Sequence, residues 1–143
     1  MFQNVTESLA IGNVISQEDL QEIYQKGYQT IIDLCIMSED NQLNPEEVKQ
    51  LGLEYISVPV DRLNLTPQTL QSFMQAVDTA KQPIYTRCAS GLRAGVMTLL
   101  TLANRESWTE QQYLERRQAL GLKHKPNCPL EAFAHEYFIN SQH

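Results

Sequence analysis

Cysteine, histidine and basic charge are all scarce in this chain, and each shortage closes off a class of protein. Three cysteines among 143 residues, an odd number, argue against a disulfide framework. Met1-Phe2-Gln3-Asn4 begins no signal peptide, so the cytoplasm is the expected location. No apolar run approaches the length of a membrane span, which argues against a membrane partner. Lys and Arg number 11 against 17 Asp and Glu, and a net charge of −6 disfavours nucleic acid, whose phosphates call for basic stripes. The three histidines supply no convincing zinc spacing, although His124 and Cys128 lie four apart, and no metal is expected. Internal repeats, low-complexity tracts and linkers are also missing. What remains, 42% hydrophobic and 20% charged, is the composition of a soluble globular chain. Residues 1–143 are expected to form a single domain, long enough to bury a core without staples.

Read in order, strand and helix patterns alternate. Ser8–Gly12 is a short alternating run ended by glycine, expected as the first strand. Ser16 opens a helix carrying Leu20, Ile23 and Tyr24, with Gly27 as its stop. Thr30–Cys35 is β-branched and almost continuously apolar, as in a strand covered on both faces. A polar loop over Met37–Leu43 leads to Asn44-Pro45, which caps a second short helix ending near Gly52. Glu54–Val58 is the third strand. Thr66-Pro67 opens a longer helix with Leu70, Phe73, Met74 and Val77 on one face. Near the end, Ser107 with Glu110 is expected to cap a helix running to Gly121, and Pro129 to start the last one. Such alternation implies an α/β fold, a central mostly parallel sheet of four to five strands with helices on both faces.

The stretch from Pro83 to Met97 organises the rest. Ile84 and Tyr85 suit a strand, and Val96, Leu99, Leu100 and Ala103 recur at helical spacing. Between them Cys88-Ala89-Ser90-Gly91-Leu92-Arg93 places a thiol at a strand's end beside a helix N-terminus. Amides there lack intrahelical partners and can point at an anion, and the helix field favours thiolate over thiol. Gly91 permits a tight turn or a close approach to an oxyanion, and Arg93 offers a planar two-pronged donor. The expected site is therefore a cysteine nucleophile, Cys88, in an anion cradle of Ala89, Ser90, Gly91, Leu92 and Arg93, with Arg87 as a second flanking cation. In an acidic chain, such a positive pocket suits a small anion. In parallel sheets ligands bind beyond the carboxyl ends of the strands, where Cys88 falls.

Asp61 should lie just past the carboxyl end of the preceding strand. A carboxyl group there could protonate a leaving oxygen and later activate water, or it could merely start a turn. Asp33 lies inside a strand pattern, where it could orient a loop. Cys35 is expected in the core, and Cys128 in a loop. His124 and His135 have no sequence reason to sit beside Cys88.

With these residues in place, the chain resembles the dual-specificity group of cysteine-dependent protein tyrosine phosphatases, from about Glu7 to Gly121. Ser8-Leu9-Ala10-Ile11-Gly12-Asn13 is similar to the group's opening strand and turn, and Gly27–Leu34 to its second strand. Tyr55-Ile56-Ser57-Val58-Pro59-Val60-Asp61 is similar to the segment bearing its general acid. Cys88–Arg93 and Thr66-Pro67 most resemble a bacterial branch of phosphatase-like domains, some fused to β-lactamase-like metallohydrolases. The resemblance implies a cysteine-phosphatase-like fold and a cofactor-free phosphoric monoester hydrolase. It implies that Cys88 forms a phosphocysteine, that Arg93 and the loop amides hold the phosphoryl oxygens, and that Asp61 is acid and then base. The substrate would be a phosphorylated protein or small molecule. Three departures stand out. The Cys–Arg spacing is one residue shorter than the family signature, Arg87 replaces the usual His, and Ala94 replaces the usual Ser or Thr after the arginine. The shorter loop is also similar to that of rhodanese sulfurtransferases, although no rhodanese-type Gly-His-Ile-Pro segment follows the Ile-Asp strand. Persulfide chemistry at Cys88 is thus a second reading, and non-catalytic binding of a small anion a third.

Overall fold

The computed structural model describes residues 2–14, 16–123 and 128–141. Three short β-branched or aliphatic runs make the buried middle of the sheet: β2 (Leu9–Gly12), β3 (Thr30–Asp33) and β5 (Ile84–Arg87), with every position buried. β4 (Glu54–Ser57) is only partly covered, as an edge strand is. The order is β1-β2-β5-β3-β4, and every pairing is parallel except that of β1 with β2. The mostly parallel α/β architecture expected from the sequence is present.

The period-two alternation of the strands divides the core in two. Leu9, Ile11, Ile32 and Ile84 face α3 (Pro67–Thr79), α4 (Leu92–Glu106), α5 (Glu110–Ala119) and α6 (Pro129–Ser141). Ala10, Ile31 and Tyr85 face the other way, onto α1 (Gln17–Gln25) and α2 (Pro45–Gln50) through Leu20, Ile23 and Val48. α4 is the central helix, buried continuously from Arg93 to Ala103. Each fully buried Leu or Val on it contributes roughly 1.5–3 kcal/mol of hydrophobic stabilisation. No helix among the described residues is long and apolar enough to cross a membrane.

Four local expectations shift. β1 (Phe2–Asn4), antiparallel to β2, precedes the run expected to be the first strand; it is held by Phe2, whose ring stacks on Tyr85 at 5.5 Å and meets Tyr28 edge-on. β3 and β4 end at Asp33 and Ser57, before the ends of their apolar runs. Met37–Leu43 is not wholly irregular, because Met37–Glu39 forms a 3-10 turn. Ser107 ends α4 in a left-handed conformation, and Thr109 caps α5, exchanging hydrogen bonds with Gln112.

The register matters most for function. It aligns Gly12, Arg87, Asp33 and Ser57 in one row across the carboxyl ends of the parallel strands. One residue further on, the amide of Cys88 donates to Gly12 O, that of Leu34 to Arg87 O and that of Val58 to Asp33 O. The loops after β3, β4 and β5 therefore leave the sheet side by side.

Candidate active site

The sulfur of Cys88 lies at the junction of β5 and α4. Cys88 is fully buried, while Ala89 and Ser90 are exposed on the loop. Gly91 turns the chain with φ +86° and serves as the N-cap of α4. Only that left-handed geometry swings the following amides round, and glycine adopts it at no steric cost. Gly91 N donates to Cys88 Sγ at 3.1 Å and Ala94 N donates to it at 3.4 Å. Both amides, in the loop and first turn of α4, are aimed at the sulfur. Where the resembled family carries a hydroxyl side chain after its arginine, this chain presents the amide of Ala94 to sulfur. Leu92 N donates to Ser90 Oγ, which braces the loop.

Arg93 follows in the first turn of α4, with only 6% of its surface exposed. Its NH1 donates to Val60 O at 2.8 Å and to Glu39 Oε1 at 2.6 Å, with Leu34 O at 3.5 Å. Its NH2 donates to Glu39 Oε2 at 2.6 Å. Burial works against the charge of Arg93, but Glu39 and the nearby sulfur of Cys88 outweigh it and raise its pKa above the ordinary value. The hydrogen bonds from Arg93 hold the Glu39 carboxyl below its ordinary pKa. Glu39 had no part in the sequence reading. Its signal is positional: an acid in the loop after an Ile-Asp strand must stand at the carboxyl edge, over the site.

Arg87 does not join this cradle. Alternation along β5 sends its side chain into the fold, where NH1 donates to Asp33 Oδ1 at 3.0 Å, to Asn41 O at 2.7 Å and to Cys35 Sγ at 3.4 Å. With both side chains of the pair wholly buried, Arg87 braces the loop after β3 rather than lining the anion pocket. Asp33 also accepts from the amides of Cys35 and Leu43 and from the Tyr55 hydroxyl. Cys35 itself sits in the core, and burial pushes its thiol up to about 11.

Asp61 lies four residues past β4, next to the carbonyl of Val60 that Arg93 holds. Its Oδ1 accepts from Leu63 N at 2.9 Å, so the carboxylate is held by its own turn. His135 is on α6, 2.7 Å from Glu110 of α5. Cys128 packs into the core. His124 lies outside the described residues. Among those residues no cluster of His, Cys, Asp and Glu is arranged to hold a metal ion.

Residues 3–127 match the sequence profile of a family described as DSP-PTPase phosphatase fused to NAD+ kinase. No curated protein sequence matches the chain. Among solved structures, TpbA of P. aeruginosa is similar with a TM-score of 0.82 at 13% identity, over 98% of this chain and 86% of that one. A DUF442 protein of Shewanella putrefaciens CN-32 is similar with a TM-score of 0.77 at 19% identity, over 97% and 91% of the two chains. A cysteine-to-serine variant of TpbA was solved in complex with phosphotyrosine; it matches with a TM-score of 0.77 at 13% identity, over 93% and 82%. At such identities the likeness is one of fold.

Proposed function

Because the chain belongs to the dual-specificity-type protein tyrosine phosphatase family and is a hydrolase of that type, we propose that it cleaves phosphoric monoesters through a phosphocysteine at Cys88. The observation that carries this reading is the sulfur of Cys88 facing two backbone amides at the start of α4, with Arg93 in the same turn. Sulfur attacks phosphorus while the bond from phosphorus to the leaving oxygen breaks, and Asp61 delivers the proton that oxygen takes up. Water then attacks the phosphocysteine, Asp61 accepts its proton, and inorganic phosphate departs with the thiolate restored. Charge on the transferring group is met by Arg93 and by the loop amides of Ala89 and Ser90, while the Gly91 and Leu92 amides brace the sulfur and the loop. A phosphorylated protein or a small phosphomonoester fits this chemistry, and the phosphotyrosine complex of TpbA supports an aryl phosphate as the first probe.

Initial rates on p-nitrophenyl phosphate test the reading with three proteins. Wild type should turn over and Cys88→Ser should not, which also excludes a contaminating phosphatase. Asp61→Asn should lose about 10²-fold or more of kcat and the basic limb of the pH profile, because a general acid must carry its proton. Wild-type activity that survives in Cys88→Ser would remove the nucleophile. Full activity with an unchanged pH profile in Asp61→Asn would remove the acid.

A further inference from the structure

Large apolar side chains are almost all covered in this fold. Among the described residues Tyr24, Met37, Leu63 and Ile139 stand exposed. Tyr24 and Ile139 are half covered, at 47% each, whereas Met37 is 83% and Leu63 91% exposed. One exposed leucine calls for no explanation, since much of any protein surface is apolar. Two nearly bare side chains on loops joined by one arginine do call for one. Arg93 NH1 donates both to Val60 O and to Glu39 Oε1. Leu63 lies three residues past Val60, and Met37 two residues before Glu39 in the same 3-10 turn. Arg62, next to Leu63, adds its charge to that of Arg93 in holding the Glu39 carboxyl below its ordinary pKa. The two loops therefore also face each other outside the guanidinium.

Leu63 is also tied to the group that handles the proton. Its amide donates to Asp61 Oδ1 at 2.9 Å and Asn64 N donates to Asp61 O, so one tight turn carries both the carboxyl group and the bare side chain. A general acid stands within hydrogen-bond reach of the oxygen it protonates. Whatever is bonded to that oxygen therefore passes close to Leu63. We propose that Leu63 and Met37 are specificity residues, which touch the leaving group and select phosphoric monoesters bearing an apolar group beside the ester oxygen. This rests on the phosphatase reading above and names the substrate class of that same site. Covering these side chains with an apolar ligand releases water from both surfaces, whereas a sugar face keeps its own hydration and gains nothing from them. The competing role for the loops is recognition of a second negative charge by the exposed Arg62.

The experiment measures inhibition of p-nitrophenyl phosphate hydrolysis by methyl-, butyl- and hexylphosphonate and by 3-phosphonopropionate. It compares wild type with Leu63→Ser, Met37→Ser and the double variant, changes at side chains too exposed to open the core. Phosphonates are not hydrolysed, so leaving-group reactivity drops out, and the methyl-to-hexyl ratio within each protein cancels any general change in the anion cradle. In wild type hexylphosphonate should bind about 10-fold more tightly than methylphosphonate, and each single variant should lose about threefold of that gain. In the double variant the ratio should approach one. A ratio near one in wild type, or a gain that survives in the double variant, overturns the proposal. Tighter binding of 3-phosphonopropionate than of butylphosphonate also overturns it, in favour of Arg62. Two phosphotyrosine peptides, with Leu or Ser after the phosphotyrosine, present the same apolar chemistry from a protein. A preference for the Leu peptide in kcat/KM that vanishes in the double variant assigns the apolar group to a neighbouring residue. A gain confined to the phosphonates assigns it to a small ester. If wild type shows no turnover that depends on Cys88, the phosphatase reading has failed and takes this proposal with it, a result seen before any substitution at Leu63 or Met37.

Discussion

Asp33 carries four donors on two oxygens: Arg87 and Cys35 N on Oδ1, Tyr55 OH and Leu43 N on Oδ2. It is the carboxylate that answers the buried charge of Arg87, whose Nε and NH2 have no partner among the described residues. Replacing it with alanine strands that guanidinium away from water. Removing one member of a buried pair costs roughly 3–5 kcal/mol, whereas replacing both by apolar groups of similar shape can be near neutral. Asp33→Ala should therefore lose about that much by urea denaturation, and Asp33→Leu with Arg87→Met should lose less than Asp33→Ala alone. A double substitution as costly as the sum of its parts would deny the coupling. Activity should fall with Asp33→Ala as well, since the turn bearing Glu39 is anchored there. Arg87 shows why a cation beside a cysteine cannot be assigned from spacing alone. Adjacent strand residues point to opposite faces, and only the register with β3 reveals that Asp33 waits on the far side.

Strand β5, the loop and α4 form a unit whose geometry turns on Gly91. At φ +86° an added Cβ costs about 1–2 kcal/mol. Relief of that strain would turn the Gly91 amide off the sulfur. Gly91→Ala is thus expected to lower kcat on p-nitrophenyl phosphate far more than it lowers the urea midpoint. Equal, small losses in both would show that the loop tolerates the residue. This unit was readable from the sequence because a strand ending, a glycine and a helical apolar period each leave their own mark. The same holds for the parallel sheet and for α1 to α3. Other features leave weaker marks. Phe2-Gln3-Asn4 is too short to display an alternation, and what makes it a strand is pairing with β2 and the rings of Tyr28 and Tyr85, the two tyrosines distant in sequence. Ser107 and Thr109 are both good caps, two residues apart, and tertiary packing of α4 decides between them. Glu39 sits in a polar run whose turn is defined by contacts to Asp33 and to Arg93, the second of them far away in the chain.

Several protons are held in this molecule against the pull of alkaline solution, and together they set how its stability depends on pH. Burial pushes the thiol of Cys35 up to about 11 and the phenol of Tyr113 up to about 12. It also raises Tyr55 and Tyr85, the first helped by the Asp33 charge beside it. Unfolded, a cysteine releases its proton near pH ~8.5 and a tyrosine near ~10. Between those values and the raised ones the folded chain binds more protons than the unfolded chain, so stability falls as pH rises. The contribution is complete below the unfolded value and is lost on approaching the folded one. Each such group steepens the decline by up to about 1.4 kcal/mol per pH unit. The urea midpoint should accordingly be level to about pH 8, fall gently as Cys35 alone is strained, and fall steeply once the tyrosines join it. Net charge of −6 adds self-repulsion in the same direction, so the slope by itself does not identify its source. Cys35→Ala separates the two, because repulsion persists in that variant while the thiol is gone. Its stability at neutral pH drops for loss of packing, but its decline between about pH 8.5 and 10 should be shallower than that of wild type. An identical slope in both proteins would assign the alkaline instability to surface charge and acquit the buried thiol.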